Sequence, residues 1–187
     1  MSTKEYVKNL IKDPNIASIT PTSKTGVRKV CGKMDLSKKV VIVEYGPATG
    51  VFTDYLLERI TADSMIIAIE QNENFVDYLT KNTRDKRLKV HQDSAENVHT
   101  IVRQYGLGKV DYVISGIPFS LMDEETREDI VKRTSHVLKR GGKFLPYQTF
   151  FQKDEHLMVY LEDYFSHARD KFFFRNLPPM RLYEAIK

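Results

Sequence analysis

Val40, Val41, Ile42 and Val43 follow one another without a polar break and are closed by Glu44, Tyr45 and Gly46. Four consecutive β-branched residues predict a strand buried on both faces, as in a parallel sheet. Gly46 and Gly50 then predict a tight turn into a helix that starts near Val51. The same unit recurs along the chain. Met65-Ile66-Ile67-Ala68-Ile69 ends at Glu70, Leu88 to Gln92 ends at Asp93-Ser94-Ala95, and Val110 to Ile114 ends at Ser115-Gly116-Ile117-Pro118-Phe119. A fifth strand is predicted over Lys143 to Phe151, after Gly141-Gly142 has ended the preceding helix. Helices are expected near 51–61, 72–82, 94–105, 123–139 and 154–165. Asn72 and Ser94 are placed to cap two of them, and Asp123-Glu124-Glu125 and Lys139-Arg140 complement the dipole of the fourth. Two last strands, near 170–176 and 181–187, have no helix between them and predict an antiparallel edge hairpin. The expected architecture is α/β: a mostly parallel seven-stranded sheet with an antiparallel edge hairpin and helices on both faces.

Ahead of the first strand the pattern changes. Tyr6, Val7, Leu10 and Ile11 share one helical face with Lys4, Lys8 and Lys12 beside it, and Asp13-Pro14-Asn15 closes that helix. A second basic helix is expected from Lys24 to about Lys33, after the hydroxyl-rich turn Thr20 to Ser23. Residues 1–39 hold nine Lys/Arg and three Asp/Glu, although the whole chain of 187 residues carries only +4. The positive charge is therefore concentrated on an N-terminal arm, residues 1–39, set before a nucleotide-type domain, residues 40–187. Such an arm suits an anionic surface, either phosphate backbone or acidic lipid headgroups. No run of 18 apolar residues predicts a membrane span, and no apolar leader is present, so a cytoplasmic protein is expected. Cys31 is the single cysteine; no motif surrounds it, and a structural role is expected. His91, His99, His136, His156 and His167 lack the spacing of metal ligands, and the G-x-S-x-G of serine hydrolases is absent.

The chemistry is predicted at the strand ends. Open α/β sheets bind ligands outside the carboxyl ends of their strands. A glycine turn opening a helix brings backbone N–H groups to a ligand, and Glu70, 24 residues after Gly46, is placed to accept the two hydroxyls of a ribose. The pattern describes a nucleoside crevice, with a further group docking at the fourth strand.

Together, E-x-G-x-x-x-G at Glu44 to Gly50, the acid Glu70, D-S-A at Asp93 to Ala95 and S-G-I-P-F at Ser115 to Phe119 resemble a class I S-adenosylmethionine-dependent methyltransferase, a Rossmann-like fold. Ala48 stands where many members carry glycine. Within that superfamily the chain resembles bacterial phospholipid N-methyltransferases, which act on phosphatidylethanolamine. The likeness covers nearly the whole chain, through L-I-K-D-P-N-I-A-S-I-T-P-T-S, V-E-Y-G-P-A-T-G-V-F-T, V-I-S-G-I-P-F and R-N-L-P-P. The rRNA adenine dimethyltransferases are related, but they resemble N-L-P-Y after strand four, and aligned on Pro118 their Asn position is Gly116 here. An rRNA adenine or small-molecule methyltransferase remains one alternative. A non-catalytic cofactor- or membrane-binding module remains another.

The resemblance implies S-adenosylmethionine as cofactor and S-adenosylhomocysteine as product. It places Glu44, Tyr45, Gly46, Pro47 and Gly50 along the methionine and ribose part, Glu70 on the ribose hydroxyls, Gln71 on the adenine edge, and Asp93, Ser94 and Ala95 around the adenine amine. Ser115, Gly116 and Ile117 would meet the acceptor, with Ser115 also beside the cofactor. The sequence does not show which group takes the amine's proton; Tyr147 is one candidate and bulk water the alternative. Phe119, Tyr147 and Phe150 are candidates to face the cationic nitrogen, and Arg175 is a candidate partner for a lipid phosphate. The implied partners are a phospholipid and an anionic membrane met through the basic arm, in preference to nucleic acid. The protein would be peripherally membrane-associated, with residues 1–30 as a membrane-binding lid.

Overall fold

The computed structural model describes residues 23–149, 157–174 and 179–187. The amphipathic helix expected over 3–12, the start of the helix expected at 154, and Phe150 and Arg175 lie outside the described residues. Seven strands form one sheet: β1 Val41–Tyr45, β2 Met65–Glu70, β3 Leu88–Gln92, β4 Val110–Ser115, β5 Leu138–Thr149, β6 His167–Phe173 and β7 Met180–Ile186. Their order is β3-β2-β1-β4-β5-β7-β6. The pairs from β3 through β5 are parallel, and β7 is antiparallel to both β5 and β6. The order reverses between β1 and β4, which is where doubly wound sheets open a crevice beyond their strand ends.

Among the described residues six helices cover the sheet: α1 Lys24–Cys31, α2 Val51–Leu57, α3 Glu73–Asn82, α4 Val98–Gln104, α5 Glu124–Val137 and α6 Leu157–Tyr164. Strand alternation sends Val41, Val43 and Tyr45 to one face, where they pack with Ile101, Ile130, Phe144 and Leu161. Ile42, Ile66, Ala68 and Ile114 go to the other, against Val27, Val30, Phe52 and Leu56. α1 is therefore part of the packed body. Its apolar face is buried, while Lys24, Arg28 and Lys29 are exposed. Cys31 is buried there, and burial together with the nearby Glu44 carboxyl pushes its thiol up to about 12, so it is an unreactive core group.

Two helix caps are formed as the sequence predicts. The Asn72 side chain accepts from the Asn74 N–H, and Ser94 accepts from the Glu96 N–H, although Ser94 caps a 3-10 turn at Ala95–Asn97 ahead of α4. The Gly141-Gly142 expectation is corrected. The helix stops at Val137, Leu138 already pairs with Val110, and the register shifts before Lys143 pairs with Tyr112. The glycines thus form a bulge within β5. Gly141 has φ +77°, and a Cβ on Gly142 would lie 2.9 Å from the carbonyl oxygens of Asp111 and Lys139. β6 also starts earlier than the periodicity predicts, at His167.

Glu184 on β7 ties α1 to this edge. Its buried carboxylate accepts from Lys33 Nζ at 3.0 Å, Lys143 Nζ at 2.9 Å and Arg169 Nη2 at 2.7 Å. Burial alone would raise its pKa, but the hydrogen bonds from Lys143, Arg169 and Lys33 outweigh it and hold the carboxyl below the usual range.

Candidate active site

Three strand ends are stitched together at the crevice. The Gly46 N–H donates to the Ile69 carbonyl at 2.9 Å, and the Gly116 N–H donates to the Tyr45 carbonyl at 3.0 Å. Gly46 (φ +66°), Ala48 (φ +48°) and Gly50 (φ +80°) all take the left-handed conformation, so the loop between β1 and α2 curls tightly. A Cβ on Gly46 would meet Ile117 Cγ2 at 2.9 Å, and one on Gly50 would meet Leu79 Cδ2 at 2.6 Å. Ala48 is the single non-glycine at positive φ among the described residues. Gly50→Ala should therefore destabilise the fold by about 1–3 kcal/mol, through strain plus the Leu79 contact. Ala48→Gly should change stability by less than about 1 kcal/mol, because relief of strain is offset by entropy gained in the unfolded chain. Urea unfolding of the two variants checks this contrast, and an equal loss in both would refute it.

Glu70 ends β2 beside this loop. One carboxylate oxygen accepts from the Ala48 N–H at 3.1 Å and the other from the Asn72 N–H at 2.9 Å, which fixes the side chain at 9% exposure. The Asp93 N–H donates to the Glu70 carbonyl at 3.1 Å, so the second and third strand tips adjoin as the sequence predicts. Asp93 Oδ1 in turn accepts from the Ser94 N–H and the Asn97 side-chain amide, both at 2.7 Å. Gln71 is exposed immediately after Glu70, Pro47 is buried in the loop, and Ala95 is buried beside Ser94.

Glu44 lies on the same sheet face, only 2% exposed, and accepts from Thr53 Oγ1 at 2.7 Å. Burial raises its pKa to about 8; the Thr53 bond opposes this, while the charges of Asp54 and Glu70 add to it. Thr53 was not singled out from the sequence. The available signal is a lone hydroxyl in the first turn of α2, between the apolar Phe52 and Leu56.

At the end of β4, Gly116 faces Tyr147 of β5. A Cβ on Gly116 would lie 2.8 Å from Tyr147 Cζ and closer still to its hydroxyl, so the phenol occupies the space a side chain here would take. The Tyr147 ring stacks on Phe52 of α2, with centroids 4.6 Å apart and planes at 23°. Phe52 is the second residue that sequence reasoning missed. Tyr147, Gly116, Ile117, Gly46 and Phe52 are thus brought together.

Other candidates are placed elsewhere. Ser115 follows Val113 onto the opposite face, and its buried hydroxyl has no hydrogen-bond partner among the described residues. The Tyr45 side chain also turns to that face, where its hydroxyl is 3.0 Å from Thr134 Oγ1; only its main chain meets the loop. Phe119 is corrected outright as a ring facing a substrate. It is fully buried, edge-to-face with Phe144 at 6.4 Å, because the 3-10 turn after Pro118 folds it under the sheet.

This geometry matches a known family. Residues 42–142 fit the model of a methyltransferase domain. The chain belongs to that family. The methyltransferase is 28% identical over 172 residues to an ornithine lipid N-methyltransferase of Singulisphaera acidiphila, covering 90% of this chain and 86% of the relative. Among solved structures it is similar to a SAM-dependent methyltransferase from Aquifex aeolicus (TM-score 0.67, 14% identity, all of both chains). It is also similar to precorrin-6y C5,15-methyltransferase from Geobacter metallireducens (TM-score 0.71, 14% identity, 94% and 96% of the two chains). The mostly parallel seven-stranded sheet with its antiparallel edge is the Rossmann-like methyltransferase fold, and the protein is an S-adenosylmethionine-dependent methyltransferase.

The residues present fit that cofactor. The loop from Gly46 to Gly50 curls through positive φ without side chains at either glycine, and two buried acids, Glu44 and Glu70, adjoin it, a donor set that suits a ligand cationic at one end and hydroxylated in the middle. When bound, S-adenosylmethionine supplies an activated methyl group on a sulfonium. The loop backbone and Glu44 would hold its amino-acid end, Glu70 its ribose, and Asp93 with Gln71 its base.

Glu44 adds a pH signature. In the free protein its carboxyl retains its proton up to about pH 8, whereas an unfolded glutamate ionises near 4.5, so it subtracts stability as pH rises between those values. A cationic ligand favours the ionised form. Cofactor affinity should therefore rise with pH up to about 8, with proton release on binding near pH 7. Calorimetry in buffers of different ionisation enthalpy checks this, and Glu44→Gln should abolish the proton release and stabilise the free protein at pH 8. Binding without proton release in the parent protein would refute it.

Proposed function

We propose that this enzyme methylates the primary amine of a membrane lipid, most concretely phosphatidylethanolamine and its partly methylated products. The observation that carries the reading is the match, across nine-tenths of the chain, to a relative named for N-methylation of ornithine lipid, whose acceptor is also an amine on a lipid. The strand-end geometry supports it. The neighbouring phenol of Tyr147 fills the space that a side chain at position 116 would need to hold a planar base amine. What stands at that position is a wall formed by the Tyr147 phenol, with its stack on Phe52 behind it. An alkyl ammonium fits against such a wall through cation–π attraction, and the Tyr147 hydroxyl would accept a hydrogen bond from the amine to orient it. The ammonium must lose a proton before attack, and the Tyr147 phenolate or bulk water would accept it. The basic N-terminal arm, residues 1–39, is proposed to attach the enzyme to anionic lipid, with residues 1–30 as the lid.

The test is transfer of labelled methyl to vesicles of phosphatidylethanolamine, to vesicles of ornithine lipid and to ribosomal RNA. Label in phosphatidylethanolamine supports the reading. Label confined to ornithine lipid keeps the lipid amine but moves the headgroup. Label in RNA alone overturns it.

A further inference from the structure

The outer strand of the hairpin carries a surface that the site does not explain. Phe172 and Phe174 are 44% and 75% exposed, and their rings stack on one another at 6.0 Å and 15°. On the other side of the strand Phe173 lies under Lys29 Nζ, 4.4 Å from its ring centre, with Lys171 Nζ at 6.0 Å. The Arg181 guanidinium sits over both Phe172 (5.0 Å) and Tyr183 (4.7 Å), held by Asp170 at 2.7 Å. Arg169 and Lys171 are exposed along the same strand.

Cations on an edge strand have an ordinary purpose, because they discourage pairing with another chain. Two stacked, exposed phenylalanines do the opposite in water, and edge protection does not account for them. Aromatic rings among lysines and arginines are instead the composition of a surface that enters the headgroup layer of an anionic bilayer, with rings in the interface and cations at the phosphates.

The placement fits such a role. Thr149 at the end of β5 is in register with Met180, and Met180 with Phe173, so the aromatic end of the hairpin lies along the same sheet edge as the crevice. Tyr147, Leu182 and Lys171 share one cross-strand row, which puts Lys171 about 10 Å from Tyr147 across two strand spacings. α1 brings Lys29 to the same rim, and the Glu184 network locks α1 to β7.

We infer that the end of the β6–β7 hairpin, Phe172 and Phe174 with Lys29, Arg169, Lys171 and Arg181, is a docking rim for an anionic lipid surface that sets the crevice against the headgroups. It rests on the lipid-amine reading for its purpose but not for its measurement. Apart from Lys29, its residues lie outside the N-terminal arm of residues 1–39.

The chain contains no tryptophan, so one introduced ring reports its own surroundings. Phe172→Trp and Phe174→Trp are titrated with vesicles of phosphatidylglycerol and with vesicles of phosphatidylcholine, with and without brominated lipid. Lys86→Trp, at the opposite sheet edge before β3, is the control. The expected result is a blue shift and bromine quenching for both rim tryptophans on anionic vesicles only, and neither for the control. Lys29→Glu with Lys171→Glu should lower the vesicle partition coefficient about tenfold or more at low salt, with cofactor binding unchanged to show the fold intact. Rim tryptophans that stay red and unquenched while the protein binds vesicles would overturn the inference. So would rim tryptophans already blue and shielded in vesicle-free buffer, since part of the chain would then cover the rim. If the rim inserts but no lipid is methylated, the acceptor reading fails and the rim stands.

Discussion

Gly116→Asn should lower lipid methylation by about a hundredfold or more while changing cofactor affinity only a few fold. The backbone at Gly116 is not at a positive φ, so an L side chain is tolerated there by the main chain alone. What forbids it is Tyr147, whose Cζ would be 2.8 Å from the new Cβ and whose Cε2 would be 3.3 Å away. The phenol must swing off Phe52, giving up a stacked pair worth about 1 kcal/mol and, with it, the hydroxyl position against which an amine is oriented. Displacing a positioning group by about 1 Å is enough for a loss of this size. The double variant Gly116→Asn with Tyr147→Ala separates the causes. It removes the collision but also the stack on Phe52, so thermal stability should recover only in part, without restoring methylation. Parental rates in the single variant, measured with labelled methyl on lipid vesicles, would show that Tyr147 need not stay where it is.

Glu70→Ala is expected to weaken cofactor binding by about a hundredfold and to cost about 2 kcal/mol of stability. The carboxylate is the acceptor for the N–H groups of Ala48 and Asn72, one on the glycine loop and one opening α3. Removing it leaves two donors unmet and frees a loop that is already held in a left-handed conformation at Ala48. Hydrogen bonds to a charged acceptor contribute about 1.5–3 kcal/mol each, so the loss of one ligand contact accounts for the affinity. Glu70→Gln keeps one acceptor oxygen and should fall between the two. Calorimetry with the cofactor and urea unfolding measure the two effects separately. Unfolding that weakens while affinity holds would make Glu70 a brace for the loop and not a contact for the cofactor.

Much of the parallel sheet is legible in the chain because its cause is local. Val40 to Val43, Met65 to Ile69 and Val110 to Ile114 are apolar enough to be buried on both faces, and the acids and glycines at their ends have no place in a core strand. Helix caps are equally local, as Asn72 and Ser94 show. Errors arise where a residue's role depends on which way a later turn folds. Gly141-Gly142 stops a helix in many chains. Here the helix has already ended at Val137, and the glycines instead let the strand bulge past the Asp111 and Lys139 carbonyls. Phe119 follows a strand-end motif and so looks as if it faces ligand, but a single 3-10 turn puts it in the core. Phe52 and Thr53 show the reverse. They read as an ordinary helix face, and only the packing of α2 under β1 and β5 brings one to Tyr147 and the other to Glu44.

The position of β7 has a consequence for how the molecule is assembled as it is made. β6 precedes β7 in the chain, yet β6 is the outermost strand and pairs with β7 alone, while β7 is the strand inserted against β5. A ribosome therefore delivers β6 before the strand it pairs with exists. Until β7 arrives, the facing edges of β5 and β6 are unpaired together, a state open to pairing between growing chains. Expression at low temperature or with chaperones should raise the soluble yield, and slower elongation near β7 would lengthen the vulnerable interval.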